Sequence, residues 1–583
     1  MAPRTRRALV TVTLFLATCA LAGSLINSKV AAQSASDEST LRDSLRSFTN
    51  VYSLVEQNYA EHLDTDKTDK AIYDGAIPGM LHTLDPHSNF MDPKAFAAMR
   101  EEQHGRYYGV GMRIQQQPDK NGGTKIVVLY PMEGTPSFKA GIHTGDTILF
   151  VDGKPTTGMD SAVIANLLKG PKGTHVSVTT AREGVAHNLV FDVVRDDIPN
   201  PSVDLAFMVR PGVGYIHVTS FIETTSHEVG DAIETLDQNN ELKGLVIDLR
   251  GNPGGLMIEA VNVCDKFLQK GQIVVSQRGR AFPDQVYRAT HGEQGPKYPI
   301  VVLVNGSTAS AAEIVSGALQ DHDRALIVGE TTFGKGLVQT VFQTSENTGL
   351  LLTTYHYYTP SGRLIQRNYD HVSLYDYYYV RNDAKKADKS NLEVKLTDSG
   401  RTVYGGGGIT PDEKIDPIKG NRFQNSLYYA LFDFSKHYLA SHTVTKDFVV
   451  DDAVLQEFKA FLKAYPFEYT DTDITNNLDW LKYKIKDSLV ASQLGETEGL
   501  KVSAEWDPQV AKAITFMPEA QTLADRTAKG STKIAALSHS RKRDRTSSKA
   551  EALCFGLFIL NAVEILEGET GIEPATFSLG SWQ

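Results

Sequence analysis

The stretch YPIVVLVNGSTASAAEIVSGALQDH, from Tyr298 to His322, carries two periodicities in succession. Ile300 to Val304 is an unbroken apolar run, which reads as a strand buried on both faces, since a half-exposed strand would alternate apolar with polar. A loop of small and hydroxyl residues follows, and then apolar positions recur at helical spacing. The same order stands upstream, in LKGLVIDLRGNPGG (Leu242–Gly255) and the helical LMIEAVNVCDKFL behind it. A further apolar strand, RALIVGE, comes at Arg324–Glu330. Buried strands alternating with helices predict an α/β domain with a largely parallel sheet covered on both sides. In such sheets ligands and catalytic groups collect beyond the carboxyl ends of strands. The loops GNPGG and NGSTAS occupy that position.

The second loop offers three hydroxyls, Ser307, Thr308 and Ser310. Each can serve as a helix cap, and Ser310 with Glu313 has the S-x-x-E spacing of a capping box. No G-x-S-x-G elbow is present. The nearby His322, in LQDHDRA, reads as the helix exit and a solvated turn, a poor general base. Lys335 is more suggestive. It lies in FGKGLVQT between Gly334 and Gly336, at the start of a strand on which Lys335, Leu337 and Gln339 point to one face. Burial lowers a lysine pKa, so a neutral amine can act as base toward a serine hydroxyl, with Gln339 hydrogen-bonded to its nitrogen. An exposed edge-strand charge is the other reading of Lys335, and the local sequence leaves both open.

Between Arg106 and Val194 short strands and turns dominate: YYGVGMRIQQ, TKIVVLY, DTILFVDG and HVSVTTAREG. With the AGIHTGDTILFVDG run and a helix at Ser161–Leu168 ahead of GPKGT, this segment resembles a PDZ domain. The resemblance implies a groove in which a peptide adds as a strand, its terminal carboxylate received by backbone N–H groups of Tyr108-Gly109-Val110-Gly111. VVRDDIPNPSV reads as the linker that closes it.

From Leu84 to Glu413 the motifs LDPHSNFM, GVG, AGIHTGDTILFVDG, VIDLRGNPGGL, NGSTASAAEIVSGALQDHDRALIVGETTFGKGLVQT, TTYHYYTPSGRLIQ and GGGGITPDE stand in order. Together they resemble the C-terminal processing peptidases, also called tail-specific proteases. The resemblance implies a crotonase/ClpP-like α/β peptidase core carrying an inserted PDZ domain and flanked by helical segments. It places the nucleophile on Ser310, the general base on Lys335, the lysine's partner on Gln339 and a supporting acid on Asp321. An acyl transfer also needs two N–H donors for the developing oxyanion. Those expected are Ala311, next to the nucleophile, and Gly254 or Gly255. Implied partners are proteins with accessible C-terminal tails. An activating adaptor and oligomerisation are compatible with the family, and no metal or other cofactor is called for.

The rest of the chain frames this core. At 583 residues it exceeds one compact core, and its net charge of −11 argues against a nucleic-acid partner. Of the three cysteines only Cys264 lies in the body, in a helical pattern where it reads as a small buried apolar group, so no disulfide framework or CxxC metal site is expected. Arg4, Arg6 and Arg7 precede an apolar run from Ala8 to Ile26, a signal peptide or signal anchor that places the protein outside the cytoplasm, in periplasm or envelope, with membrane attachment through this segment if it is retained. The expected divisions are 1–33 for that signal, 34–103 for an N-terminal helical region, 104–195 for the PDZ domain and 196–420 for the peptidase core. A C-terminal helical region follows at 421–525, then an artefactual or disordered tail at 526–583.

Overall fold

The computed structural model describes residues 41–119, 123–238, 241–292, 298–344, 347–379, 393–465 and 467–526. The expectations for the signal segment and for the tail beyond Arg526 concern residues outside these.

The chain divides into two units, one of residues up to Pro93 together with Val341–Leu352, the other comprising the rest. The first unit is helical as expected, with a helix at 41–58 and helices Thr65–Lys70 and Ile77–His82. Asp85 folds LDPHSNFM into a tight turn: its carboxylate accepts from the N–H groups of His87 and Ser88 and from the Ser88 hydroxyl. The strand Asn89–Met91 leaves this turn and pairs antiparallel with Gly349–Leu351. The spacing of Leu41, Leu45, Phe48, Val51, Leu54 and Val55 does set a helix, yet each is at least half exposed. Periodicity states which face is apolar, not what will cover it.

In the second unit the PDZ-like segment forms a sheet ordered Met112–Asp119, Gly123–Pro131, Thr147–Val151, His175–Ala181, Leu189–Val194. Asp160 caps the helix Ser161–Leu168 by accepting the Ala162 N–H at 2.8 Å. Ile164 and Leu168 of that helix enter a core with Val128, Ile148 and Val178. VVRDDIPNPSV is not a linker throughout, because Asp196–Pro199 pairs with Arg106–Gly109 and so joins the two ends of the segment.

The larger sheet runs Val203–Arg210, Val213–Val218, Gly244–Asp248, Ile300–Val304, Leu326–Gly329, Glu413–Lys414. Its first pair is antiparallel and the remaining neighbours are parallel. Successive side chains of a strand point to opposite faces, and both faces here are covered. Leu245, Ile247, Ile300, Val302 and Val304 pack with the helices Thr225–Leu236, Met257–Asp265 and Ala311–Asp321. Val246, Val301 and Leu303 pack on the other side with Ala504, Val510, Ala513 and Ala520. The helical region expected at 421–525 is therefore divided. Phe423, Leu431, Phe434, Phe458 and Leu481 build a core of their own, while the segment from about Leu500 is the second cover of the peptidase sheet. Among the described residues no helix is long and apolar enough to cross a membrane.

Candidate active site

Ser310 follows the strand Ile300–Val304 and caps the helix Ala311–Asp321. Its backbone sits at φ 52°, ψ −114°. A positive φ at a residue with a side chain costs about 1–3 kcal/mol and persists only where surrounding contacts over-determine it. Those contacts are visible. The Thr308 hydroxyl donates to the Leu249 carbonyl at 2.8 Å and accepts from the Asn305 N–H at 2.9 Å. The Ser307 N–H donates to Asn305 Oδ1 and the Ala309 N–H to the Asn252 carbonyl. Thr308 and Ser307 thus shape the loop and tie it to the neighbouring GNPGG loop.

The acid of the S-x-x-E spacing closes back on the Ser310 N–H, and it does more than cap. Glu313 is fully buried, and its carboxylate accepts from four donors: the Ser310 N–H at 2.9 Å, the Lys335 N–H at 2.9 Å, the Gly334 N–H at 2.7 Å and the Thr332 hydroxyl. Burial pushes its pKa up to about 7, against the pull of those donors. One carboxylate therefore holds the backbone of the candidate nucleophile and that of the candidate base. Glu313 carried only a capping signal in the sequence.

Lys335 is half-buried and precedes the strand Leu337–Gln343 rather than lying in it. Across the hairpin Gln339 Nε2 donates to Thr353 Oγ1 at 3.1 Å, which fixes the amide and leaves Oε1 as its accepting atom. Asp321, also fully buried, accepts from Arg363 Nη2 at 2.7 Å and from the Ser361 N–H at 3.0 Å. It ties the end of the Ser310 helix to the TPSGR turn. His322 is not solvated. It is 6% exposed, with Nδ1 2.7 Å from Asp398 and Nε2 2.7 Å from the Ile273 carbonyl, both ring nitrogens committed to structure.

The GNPGG loop closes directly on Ser310. A Cβ on Gly254 (φ 101°) would stand 2.7 Å from Ser310 Cβ and 2.9 Å from the Ala311 nitrogen, and one on Gly255 (φ 138°) 2.1 Å from the Phe221 carbonyl oxygen. Neither position accepts a side chain. The Gly254 N–H donates to Asn252 Oδ1 at 2.8 Å, and the residue approaches Ser310 too closely for a Cβ. Ala311 opens the helix, where N–H groups have no intrahelical partner. Upstream, Arg250 pairs with Asp248 at 2.6 Å and with Asp507 at 2.8 Å, and donates to Gln509 at 2.6 Å. The second helical cover is thereby fastened to the base of the loop.

In the PDZ-like segment Gly109, Val110 and Gly111 are buried and Tyr108 is half exposed. The Gly111 carbonyl accepts from Thr135 Oγ1, Ser137 Oγ and the Met132 N–H, and the Val110 carbonyl from the Ser137 N–H. With those carbonyls turned into the domain and Gly111 at φ 76°, the loop's backbone conformation is fixed. Met112–Asp119 stands at the end of its sheet, paired on one side only among the described residues.

Comparison with known proteins agrees with this layout. Residues 212–372 match Peptidase family S41, 100–181 a PDZ domain, 13–95 the Activating protease CtpB N-terminal domain and 426–472 the "Probable PDZ-protease, C-terminal helical domain". A carboxy-terminal-processing protease of Bartonella bacilliformis is 40% identical over 358 residues, covering 60% of this chain and 79% of that protein. Carboxy-terminal processing protease CtpA of Bacillus subtilis is 36% identical over 318 residues, covering 54% and 66% respectively. Among solved structures, the photosystem II D1 C-terminal processing protease is 30% identical, covering 62% of this chain and 85% of that one, with a TM-score of 0.32. With a buried acid joining the serine and lysine loops and a PDZ domain ahead of them, the chain belongs to the carboxy-terminal processing proteases of peptidase family S41, serine proteases.

Proposed function

We propose that Ser310 and Lys335 form a catalytic dyad on a crotonase/ClpP-like core, working outside the cytoplasm on protein C-terminal tails held by the PDZ domain. The observation that carries this is the Glu313 carboxylate, which takes the N–H groups of both Ser310 and Lys335. A neutral Lys335 removes the proton from the Ser310 hydroxyl, whose oxygen attacks the scissile carbonyl. Ala311 and Gly255 N–H groups receive the oxyanion. The C–N bond breaks, the proton passes from the lysine to the leaving amine, and an acyl-enzyme remains that water hydrolyses. These steps draw on side chains and backbone of this chain alone. Gln339, its Nε2 held by Thr353, orients the lysine nitrogen, and Asp321 anchors the Ser310 helix.

The tail's carboxylate meets the Tyr108–Gly111 loop and its backbone adds along the open edge of Met112–Asp119. The arginine-led apolar N-terminus supports export and retention at a membrane, and the CtpB-like N-terminal match supports control by an activating partner. A fluorophosphonate probe labels the wild type and not Ser310→Ala; equal labelling sinks the Ser310 assignment. Lys335→Ala abolishes turnover while a tail peptide still binds. Amidating a substrate's C-terminus removes much of the rate, and an unchanged rate points instead to a hydrolase of small esters on the same fold.

A further inference from the structure

The bonds around Lys335 come from two sides. Glu313 accepts the Lys335 N–H from within the core. On the other side the next N–H along the chain, that of Gly336, donates to Gln366 Oε1 at 2.7 Å. The Gly334 carbonyl, on the peptide before Lys335, accepts the Arg367 N–H at 2.8 Å, and the Gly336 carbonyl accepts the Tyr357 N–H at 2.9 Å. The two peptide planes that flank the lysine Cα are thus each held, so φ and ψ of Lys335 are both pinned and its Cα–Cβ bond has one direction. A flexible lysine side chain gains most from such a fixed root, since a small misplacement of a catalytic group is costly.

Gln366 is itself oriented. Its Nε2 donates to the Arg367 carbonyl at 2.7 Å and to the Tyr377 hydroxyl at 3.2 Å, which turns Oε1 toward Gly336. Tyr377 is the buried residue of the short helix Leu374–Tyr379. That helix is seated by Arg367, whose guanidinium lies 4.4 Å from the Phe333 ring and 4.5 Å from the Tyr377 ring and donates to the Tyr377 carbonyl. The approach is close enough to require glycine, because a Cβ on Gly336 would stand 2.9 Å from the Gln366 nitrogen and one on Gly334 3.0 Å from Arg367 Cβ.

We infer that Gln366, held by Tyr377, is a positioning residue for Lys335, and that the helix Leu374–Tyr379 is an outer clamp on the base rather than a surface appendage. The inference rests on the Ser310–Lys335 reading. The Tyr377 ring packs edge-on against Phe333, whereas its hydroxyl reaches the lysine loop through Gln366, so the hydroxyl should matter only while Gln366 is present. The test is a double-mutant cycle in the full chain, with kcat and KM measured on one tail substrate and normalised to folded protein by circular dichroism. Gln366→Leu lowers kcat by about 10²-fold with KM little changed. Tyr377→Phe, which removes one oxygen, lowers kcat several-fold without changing Tm. The double variant is no slower than Gln366→Leu alone, the non-additivity expected of residues acting in series. Additive losses, losses that appear in KM, or a Tyr377→Phe enzyme indistinguishable from wild type overturn the inference. Lys335→Ala is run beside them: if it keeps activity, the dyad is at fault, and if it is dead while both clamp variants are unimpaired, the clamp alone is.

Discussion

At Glu313 one side chain serves as helix cap, loop tie and buried acid. Both oxygens accept, so Glu313→Gln turns an amide NH2 toward donors on one side and leaves them without an acceptor. We expect Glu313→Gln to lose about 10²-fold or more in kcat/KM while remaining folded, measured on a tail peptide. Asp321 and Arg363 form a pair in which both side chains are 1% exposed or less. Asp321→Ala strands the guanidinium and should cost about 3–5 kcal/mol in urea unfolding, because an uncompensated buried charge remains. His217 provides the pH test. Burial works to lower its pKa, but the Asp204 hydrogen bond and the Asp248 charge outweigh that and leave it raised above 6.5. A raised folded pKa means that the stabilisation is complete below about 6.5 and is lost as pH rises through the folded value. Tm should therefore decline on the alkaline side of 6.5, and Asp204→Asn should flatten that decline.

At the scale of elements, the helix Pro508–Thr515 is capped by Asp507, which accepts the Gln509 and Val510 N–H groups at 2.7 and 3.2 Å and also pairs with Arg250. Asp507→Ala removes a cap and a half-buried partner, and the cap alone is worth about 0.5–2 kcal/mol. Because Arg250 lies at the root of GNPGG, the same variant should lower kcat as well as Tm. A Tm shift at constant kcat would show that the helix covers the sheet without steadying the loop. The buried strands were legible in advance, since runs such as IVVLV have no polar side to offer. The short strand Asp196–Pro199 was not, because its Asp and Pro residues read as linker and only pairing with Arg106–Gly109 makes it a strand.

For the whole molecule, the second face of the peptidase sheet depends on residues far along the chain. Truncation after Arg526 should leave fold and activity unchanged. Truncation at about Gly495 removes Ala504, Val510, Ala513, Ala520 and Leu523, uncovers Val246, Val301 and Leu303, and should give an insoluble or inactive protein in an expression and activity assay. A boundary drawn at 420 on the return of a helical pattern does not show this, since both halves of 421–525 are amphipathic helix and their sequence does not say which core each will join.

What the sequence by itself determined is local or repetitive. Period-two and period-3.6 patterns set the α/β class, the S-x-x-E spacing set the cap at Ser310, and the ordered motifs brought Ser310 and Lys335 to notice. Tertiary structure decided which distant groups meet. Glu313 reaches Thr332, Gly334 and Lys335 across 19 to 22 residues, and Gln366 reaches Gly336 across 30. It also decided that Gln339 bonds Thr353, that Asn252 claims the Gly254 N–H and that His322 is buried. A hydrogen bond needs its partner within about 3 Å, and only the folded packing brings such partners together.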